Sequence, residues 1–445
     1  MRCVWSLTSL RTFFATTTKN SASRNDQLAE NLSYMLLVAE TLHANGQETR
    51  ETIASVTRMS KGFQYELSLS IGWEGIYLQV SDGKTTINQL IIVQPSKINM
   101  TQVAATMKII AASEEKHKPT ITLKNELLSI DRLPSSNNYI FFVACIAGSL
   151  ALSIIFGAKD PYAMLLIGIS AGLGAYVRRI LGKVDVDPFL QTFAAALVAG
   201  IIGAIAVKLN VSSEARLVAV CPCMILVPGP HLLNGALDLG ALRIPLGASR
   251  LSFAMLTIFT ICAGLLIGLS ICGESLPPVA ASLSIPFWVD IIAAGVAAIS
   301  YGIFFSMPNK TLVFPLFAGM AAHFIRWEAM SLYNVNVEIA ACLACFVAGI
   351  ITAPVAKKYH LPFAGIGFAS VVSLIPGVFL FRMSSALIQI KENNTSAIIS
   401  LMGITLSDGI DALLIITAMT FGFVLSRRLI DISTTIYLKF HDGKI

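Results

Sequence analysis

Apolar and polar positions change their rhythm near residue 138. Ahead of it, Leu28, Leu32, Met35, Leu36, Ala39 and Leu42 recur at helical spacing on one face, and Asn45-Gly46 supplies a stop. Residues 48–61 read as a second helix. Alternation of period two then takes over in 64–70, 76–80 and 85–93, with Ser81-Asp82-Gly83-Lys84 as a hairpin turn. Two further helices are expected over 101–116 and 121–133. This order predicts an α+β domain over 26–137, large enough for a core of its own, with 134–138 as a linker.

From Asn138 onward, apolar runs follow one another almost to the end. Residues 138–157 and 188–207 carry no charge over 20 positions each, the length a helix needs to cross ~30 Å of hydrocarbon. Ten spans are expected: 138–157, 161–180, 188–207, 215–243, 249–273, 287–306, 311–328, 338–356, 361–390 and 398–426. The fourth contains Val227-Pro228-Gly229-Pro230 and the ninth Ile375-Pro376-Gly377. Proline and glycine there break the backbone ladder, which lipid tolerates only where the freed groups face protein or a wet cavity. Matching breaks in two halves point to a transporter's binding site.

The halves repeat. Val198-Ala199-Gly200-Ile201-Ile202 recurs as Val347-Ala348-Gly349-Ile350-Ile351, Ala171-Gly172 as Ala318-Gly319, and Arg179 as Arg326, at offsets of 147 to 149. The two breaks share that spacing. Each half, 138–274 and 285–428, holds five spans, an odd number, so the second must enter from the opposite side as an inverted repeat. Twelve Lys and Arg flank the ends on the side of the N-terminal domain against six on the other. The positive-inside rule then places both termini in the cytoplasm, including a tail over 429–445.

Composition agrees: 55% of the 445 residues are hydrophobic and 13% charged, about half the charge of a soluble domain. A net charge of +6 offers no basic stripe for nucleic acid. Seven of the eight cysteines lie in or beside apolar runs, without structural-zinc spacing, so neither metal nor cofactor is expected. No P-loop is present to couple ATP within the chain. Residues 1–25 are basic, Ser/Thr-rich and nearly free of acids, a transit-like composition, and are expected to form a disordered tail.

The stretch Val227-Pro228-Gly229-Pro230-His231-Leu232-Leu233-Asn234-Gly235-Ala236-Leu237-Asp238, followed by Arg250, resembles the signature of the threonine/serine exporter family. Gly46-Gln47-Glu48-Thr49-Arg50-Glu51 resembles that family's soluble-domain helix in a shortened form. The second half resembles the small partner subunit of split members. The resemblance covers nearly the whole chain from about residue 28. It implies a fused, single-chain exporter of threonine and serine, with a dicarboxylate exporter as the alternative substrate class.

The expected substrate-binding residues are Pro228, Gly229, His231, Asn234, Asp238, Pro376, Gly377 and Arg382. A half-helix beginning at each break offers free N–H groups and a partial positive charge to a carboxylate. Asn234 can both donate to and accept from a hydroxyl. Asp238 can pair an ammonium, and Arg382 a carboxylate. Proton-coupling candidates are Asp238, His231, Asp408 and Asp411; for the last two, the first turn of a helix is the competing reading. Arg243 and Arg250 are expected as anchors at the membrane edge, and His323, Arg326 and Glu328 as an outward polar cluster. The expected protein is a polytopic α-helical membrane transporter of the cell membrane. Its partners are lipid, a small amino-acid or carboxylate substrate and protons, and a homo-oligomer is compatible with the sequence. An intramembrane hydrolase would need Cys221 or Cys223 with His231, and a passive channel would be indifferent to a proton gradient.

Overall fold

A computed structural model describes residues 24–116, 120–130, 136–184, 186–212, 214–274, 285–392 and 395–441. The expected tail over 1–25 lies almost wholly outside them, as do the end of the 121–133 helix and part of the linker.

The N-terminal part consists of α1 (Arg24–Ala44), α2 (Thr49–Gly62), a three-stranded antiparallel meander, α3 (Met100–Lys116) and α4 (Thr120–Ile130). The strands β1 (Glu66–Ile71), β2 (Gly75–Ser81) and β3 (Thr86–Ile92) occupy the alternating segments. Opposite Tyr77 lie Ser70 on one side and Leu90 on the other. One face of β2 (Ile76, Leu78, Val80) is wholly buried. It packs on the apolar stripe of α1, whose Leu28, Leu32, Met35, Leu36, Ala39 and Leu42 are all in the same core.

The remainder is helical: α5 (Asn138–Ile155), α6 (Pro161–Lys183), α7 (Pro188–Lys208), α8 (Ala215–Met224), α9 (Gly229–Gly240) and α10 (Ile244–Ile271). The second half follows with α11 (Phe287–Phe304), α12 (Val313–Ser331), α13 (Val337–Tyr359), α14 (Phe363–Val371), α15 (Gly377–Glu392) and α16 (Thr395–His441). Starts are written locally. Asn137, Asp160 and Asp187 cap α5, α6 and α7 through their side chains, the last two followed by a proline at the first helical position.

Seven of the described helices are long and apolar enough to cross a membrane, or eight if the bent pair α8–α9 counts as one span. This makes a multi-pass membrane protein. Of the ten expected spans, α12 and the α14–α15 pair fall outside that set. Both carry charge or interruption: α12 has Arg326 and Glu328, and α14 gives way to a 3-10 turn at Val372–Leu374. The last helix differs as well. Expected to end near 426 with a tail after it, α16 continues unbroken to His441. Large apolar side chains such as Leu165, Phe259 and Leu413 point outward, as lipid-facing positions do.

Both halves use the same close contact. The α7 helix packs on α10, and α13 on α16. A side chain at Gly200 would collide with the Leu265 carbonyl, and one at Gly349 with Ser426. These are the glycines of the repeated Val-Ala-Gly-Ile-Ile; Gly200 lies against the backbone of α10 and Gly349 against side chains of α16.

Candidate functional site

The chain bends by 51° between α8 and α9. Proline at 228 and 230 removes two N–H donors there, and the carbonyl of Met224, freed at the end of α8, accepts a 2.5 Å hydrogen bond from the Tyr301 hydroxyl. The two breaks touch each other's approaches. A side chain on Gly229 would overlap the ring of Phe368 on α14, and one on Gly377 would lie 2.9 Å from Met224 Cε at the end of α8. Gly229, Phe368 and Ile375 line one apolar pocket together with Met419 and Phe423 of α16.

Beyond its break, α9 turns His231, Asn234 and Asp238 inward, each no more than 3% exposed. Their spacing of three and four puts them on one face. The N-terminal part covers that face residue by residue. Thr49 Oγ1 donates to Asp238 Oδ2 at 3.0 Å, and Asn234 Nδ2 donates to the Gly46 carbonyl at 3.0 Å. The β1–β2 turn brings Trp73 to 6.5 Å from the His231 ring, with Phe253 of α10 packed on both.

Asp238 also faces two cations. Arg250 Nε lies 3.1 Å from Oδ2, and Arg243 Nη1 is 3.4 Å from Oδ1. Arg250, expected at the membrane edge, is instead 0% exposed. A guanidinium so buried needs a carboxylate beside it, and its Nη2 also lies 3.4 Å from His43 Nδ1. Burial first, and then Arg250, hold the His43 imidazole down to about 3. Arg243 keeps a partly exposed position at the start of α10.

A pocket of about 490 Å³ opens beside this cluster, lined by Glu48, Thr49, Asn234, Asp238, Arg243 and Arg427, among others. Asn234 Oδ1 and Arg427 Nε are buried without a hydrogen-bond partner. Glu48 Oε2 is 3.7 Å from Arg427 Nη2, and burial raises the Glu48 carboxyl above its ordinary range. Arg50 and Asp431 close the rim at 2.5 Å.

On the second half-helix, Arg382 Nε lies 3.1 Å from Asp408 Oδ2. Asp408 and Asp411 therefore stand inside α16, not in a first turn, since that helix starts at Thr395. His323, expected with Arg326 and Glu328 in an outward polar cluster, is instead buried: its Nδ1 meets Asp290 Oδ2 at 2.9 Å and its Nε2 meets Ser373 Oγ at 2.6 Å. Among the described contacts, neither Cys221 nor Cys223 hydrogen-bonds His231; both thiols are packed inside α8.

Thr49, Glu48, Arg427 and Ser373 escaped the sequence reading of the site. The first two sat in the Gly46–Glu51 segment, whose place against α9 no spacing could give.

Two family descriptions match: "Putative threonine/serine exporter" over residues 33–272 and "Threonine/Serine exporter, ThrE" over 290–429. The chain belongs to the threonine/serine exporter family. The first match runs through the N-terminal part and on to the end of α10, and the second takes in nearly all of α11–α16 in the same polypeptide, so this exporter is a fused form. No solved structure matches it.

Proposed function

We propose that this exporter moves threonine and serine out of the cytoplasm across the cell membrane, driven by the proton-motive force. One observation carries the reading: a polar face of His231, Asn234 and Asp238 on a half-helix that starts at a membrane break. The half-helix presents its positive end to the substrate carboxylate. The amide of Asn234 takes the hydroxyl, and the Asp238 carboxylate takes the ammonium in place of Thr49. Pro228, Gly229, Pro376 and Gly377 shape the two breaks, and Arg382 pairs a carboxylate once Asp408 is protonated.

The chain crosses ten times in this reading, with α12 and α14–α15 as the two further spans, arranged as two inverted five-span repeats. Support comes from the repeated glycine contacts and from the two breaks touching each other's approaches. The ion pairs Asp238–Arg250 and Arg382–Asp408 have opposite polarity, the half-helix bearing the acid in one and the base in the other. Protonation of Asp238 or Asp408 loosens its own pair, with His231 and Asp411 as the further proton-coupling groups, and one repeat rocks against the other. The N-terminal α+β domain, residues 26–137, is cytoplasmic and covers the inner entrance. Both termini are cytoplasmic.

Proteoliposomes of the full chain, offered labelled threonine, serine and succinate, test the proposal. Uptake of the two amino acids that rises with an imposed proton gradient is the expected result. A second reading, dicarboxylate export, is favoured by Arg243, Arg427 and Arg428 around the pocket; succinate-only transport would establish it instead.

A further inference from the structure

We infer that Asp290, His323 and Ser373 form a proton relay that runs from the outer membrane edge to the second break. The inference rests on proton-driven export as proposed above. The three residues come from three elements. Asp290 stands in the first turn of α11, His323 near the middle of α12, and Ser373 in the 3-10 turn immediately before Ile375-Pro376-Gly377.

The chain of contacts is continuous. His323 is 0% exposed, with Nδ1 at 2.9 Å from the carboxylate and Nε2 at 2.6 Å from the hydroxyl. Imidazole can accept a proton on one nitrogen while releasing one from the other. A proton arriving at Asp290 passes to Nδ1. The ring gives up its Nε2 proton to Ser373 Oγ, and the serine's own hydroxyl proton leaves to water in the break. A ring tautomer change then restores the starting state.

The surroundings favour this path. Asp290 keeps 15% of its side chain exposed, an entry for solvent protons. Among the described residues, Asp290 on α11 and Arg326 on α12 itself face the chain, the latter within electrostatic reach of Asp290. The α13 helix presents Ala340, Ala344 and Cys345 to the interior, and Ser370 of α14 is engaged by the Ile366 carbonyl. At the inner end, Gly377 touches the end of α8, so the proton is delivered where the two breaks adjoin. Acid, imidazole and hydroxyl in this order also make a hydrolase triad. Acyl transfer needs substrate at the serine oxygen, and Ser373 is 5% exposed and packed against α11, which favours proton transfer.

The test uses full-length protein in proteoliposomes with a trapped pH dye and labelled threonine. His323→Gln and Ser373→Ala are expected to lose gradient-driven threonine transport and the accompanying proton flux by at least tenfold. Threonine counterflow, which needs no net proton movement, should stay within about twofold of wild type. Ser373→Thr, which keeps the hydroxyl, should restore driven transport. Several results overturn the relay: driven transport unchanged in either variant, counterflow lost in step with driven transport, or threonine transport in the wild type that ignores the gradient. Labelling of Ser373 by a fluorophosphonate that depends on His323 overturns it in favour of a nucleophile. A wild type without threonine or serine counterflow sinks the exporter proposal and the relay with it.

Discussion

Thr49 Oγ1 donates a hydrogen bond to Asp238 Oδ2 across 3.0 Å, joining residues 189 positions apart in the chain. The hydroxyl of the protein's own threonine thus sits against a carboxylate proposed to receive substrate. This contact ties the N-terminal part to the half-helix beyond the first break.

Removing that hydroxyl is expected to loosen the contact without disturbing either core. Thr49→Val keeps the shape and loses a hydrogen bond to a charged group, at a cost of about 1.5–3 kcal/mol. Hydrogen exchange should report faster opening around residues 46–52, while the β2 amides keep their protection. Unchanged exchange there would show that the bond carries no docking energy.

Arg250 is fully buried against Asp238. Arg250→Leu leaves the carboxylate without its principal partner and is expected to destabilise by about 3–5 kcal/mol. The double change Arg250→Leu with Asp238→Asn should recover much of that loss, because no buried charge is then left alone. Thermal unfolding in detergent compares the two; equal loss in both would contradict the pairing argument.

Glycine contacts allow a paired comparison. Gly200→Ala pushes a methyl into the Leu265 carbonyl, whereas Gly240 has nothing within 4 Å of an added methyl. The first is expected to cost about 1–3 kcal/mol and the second close to nothing, read as the change in unfolding midpoint. The same penalty is expected for Gly349→Ala, its partner in the repeat.

The docked N-terminal part should loosen in acid. His43 is held at about 3 when docked against about 6.5 when free. Docked protein therefore binds fewer protons at His43 between those values, so the His43 contribution to docking is full above about 6.5 and weakens as pH falls. The slope is about 1.4 kcal/mol per pH unit for one proton. Glu48 is shifted the other way, so its contribution is present in acid and lost as pH rises. Limited proteolysis between pH 7 and 5 should show release of the domain, and His43→Gln should flatten that profile.

Much of the fold was legible because its signals are local. The face from Leu28 to Leu42 became the buried face of α1, and the alternating runs became the meander. The reach of α16 to His441 was not legible, because a helix can leave the bilayer without any break in its backbone ladder. Arg250 was misread for a related reason. A cation beside an apolar run looks like an interfacial anchor until the partner that compensates its burial is known, and Asp238 supplies that partner from another helix.

Sequence alone determined that the chain is built for a membrane, that two proline-glycine breaks lie in comparable runs, and that His231, Asn234 and Asp238 share a helical face. Periodicity, length and missing N–H groups are properties of neighbouring residues, and they need no knowledge of distant ones. Only the tertiary structure decided what faces those residues: Thr49 on Asp238, the Gly46 carbonyl on Asn234, Trp73 on His231, and Asp290 and Ser373 on either side of His323. Ion pairs and hydrogen bonds between separate helices depend on how the helices pack, and packing is a property of the whole chain.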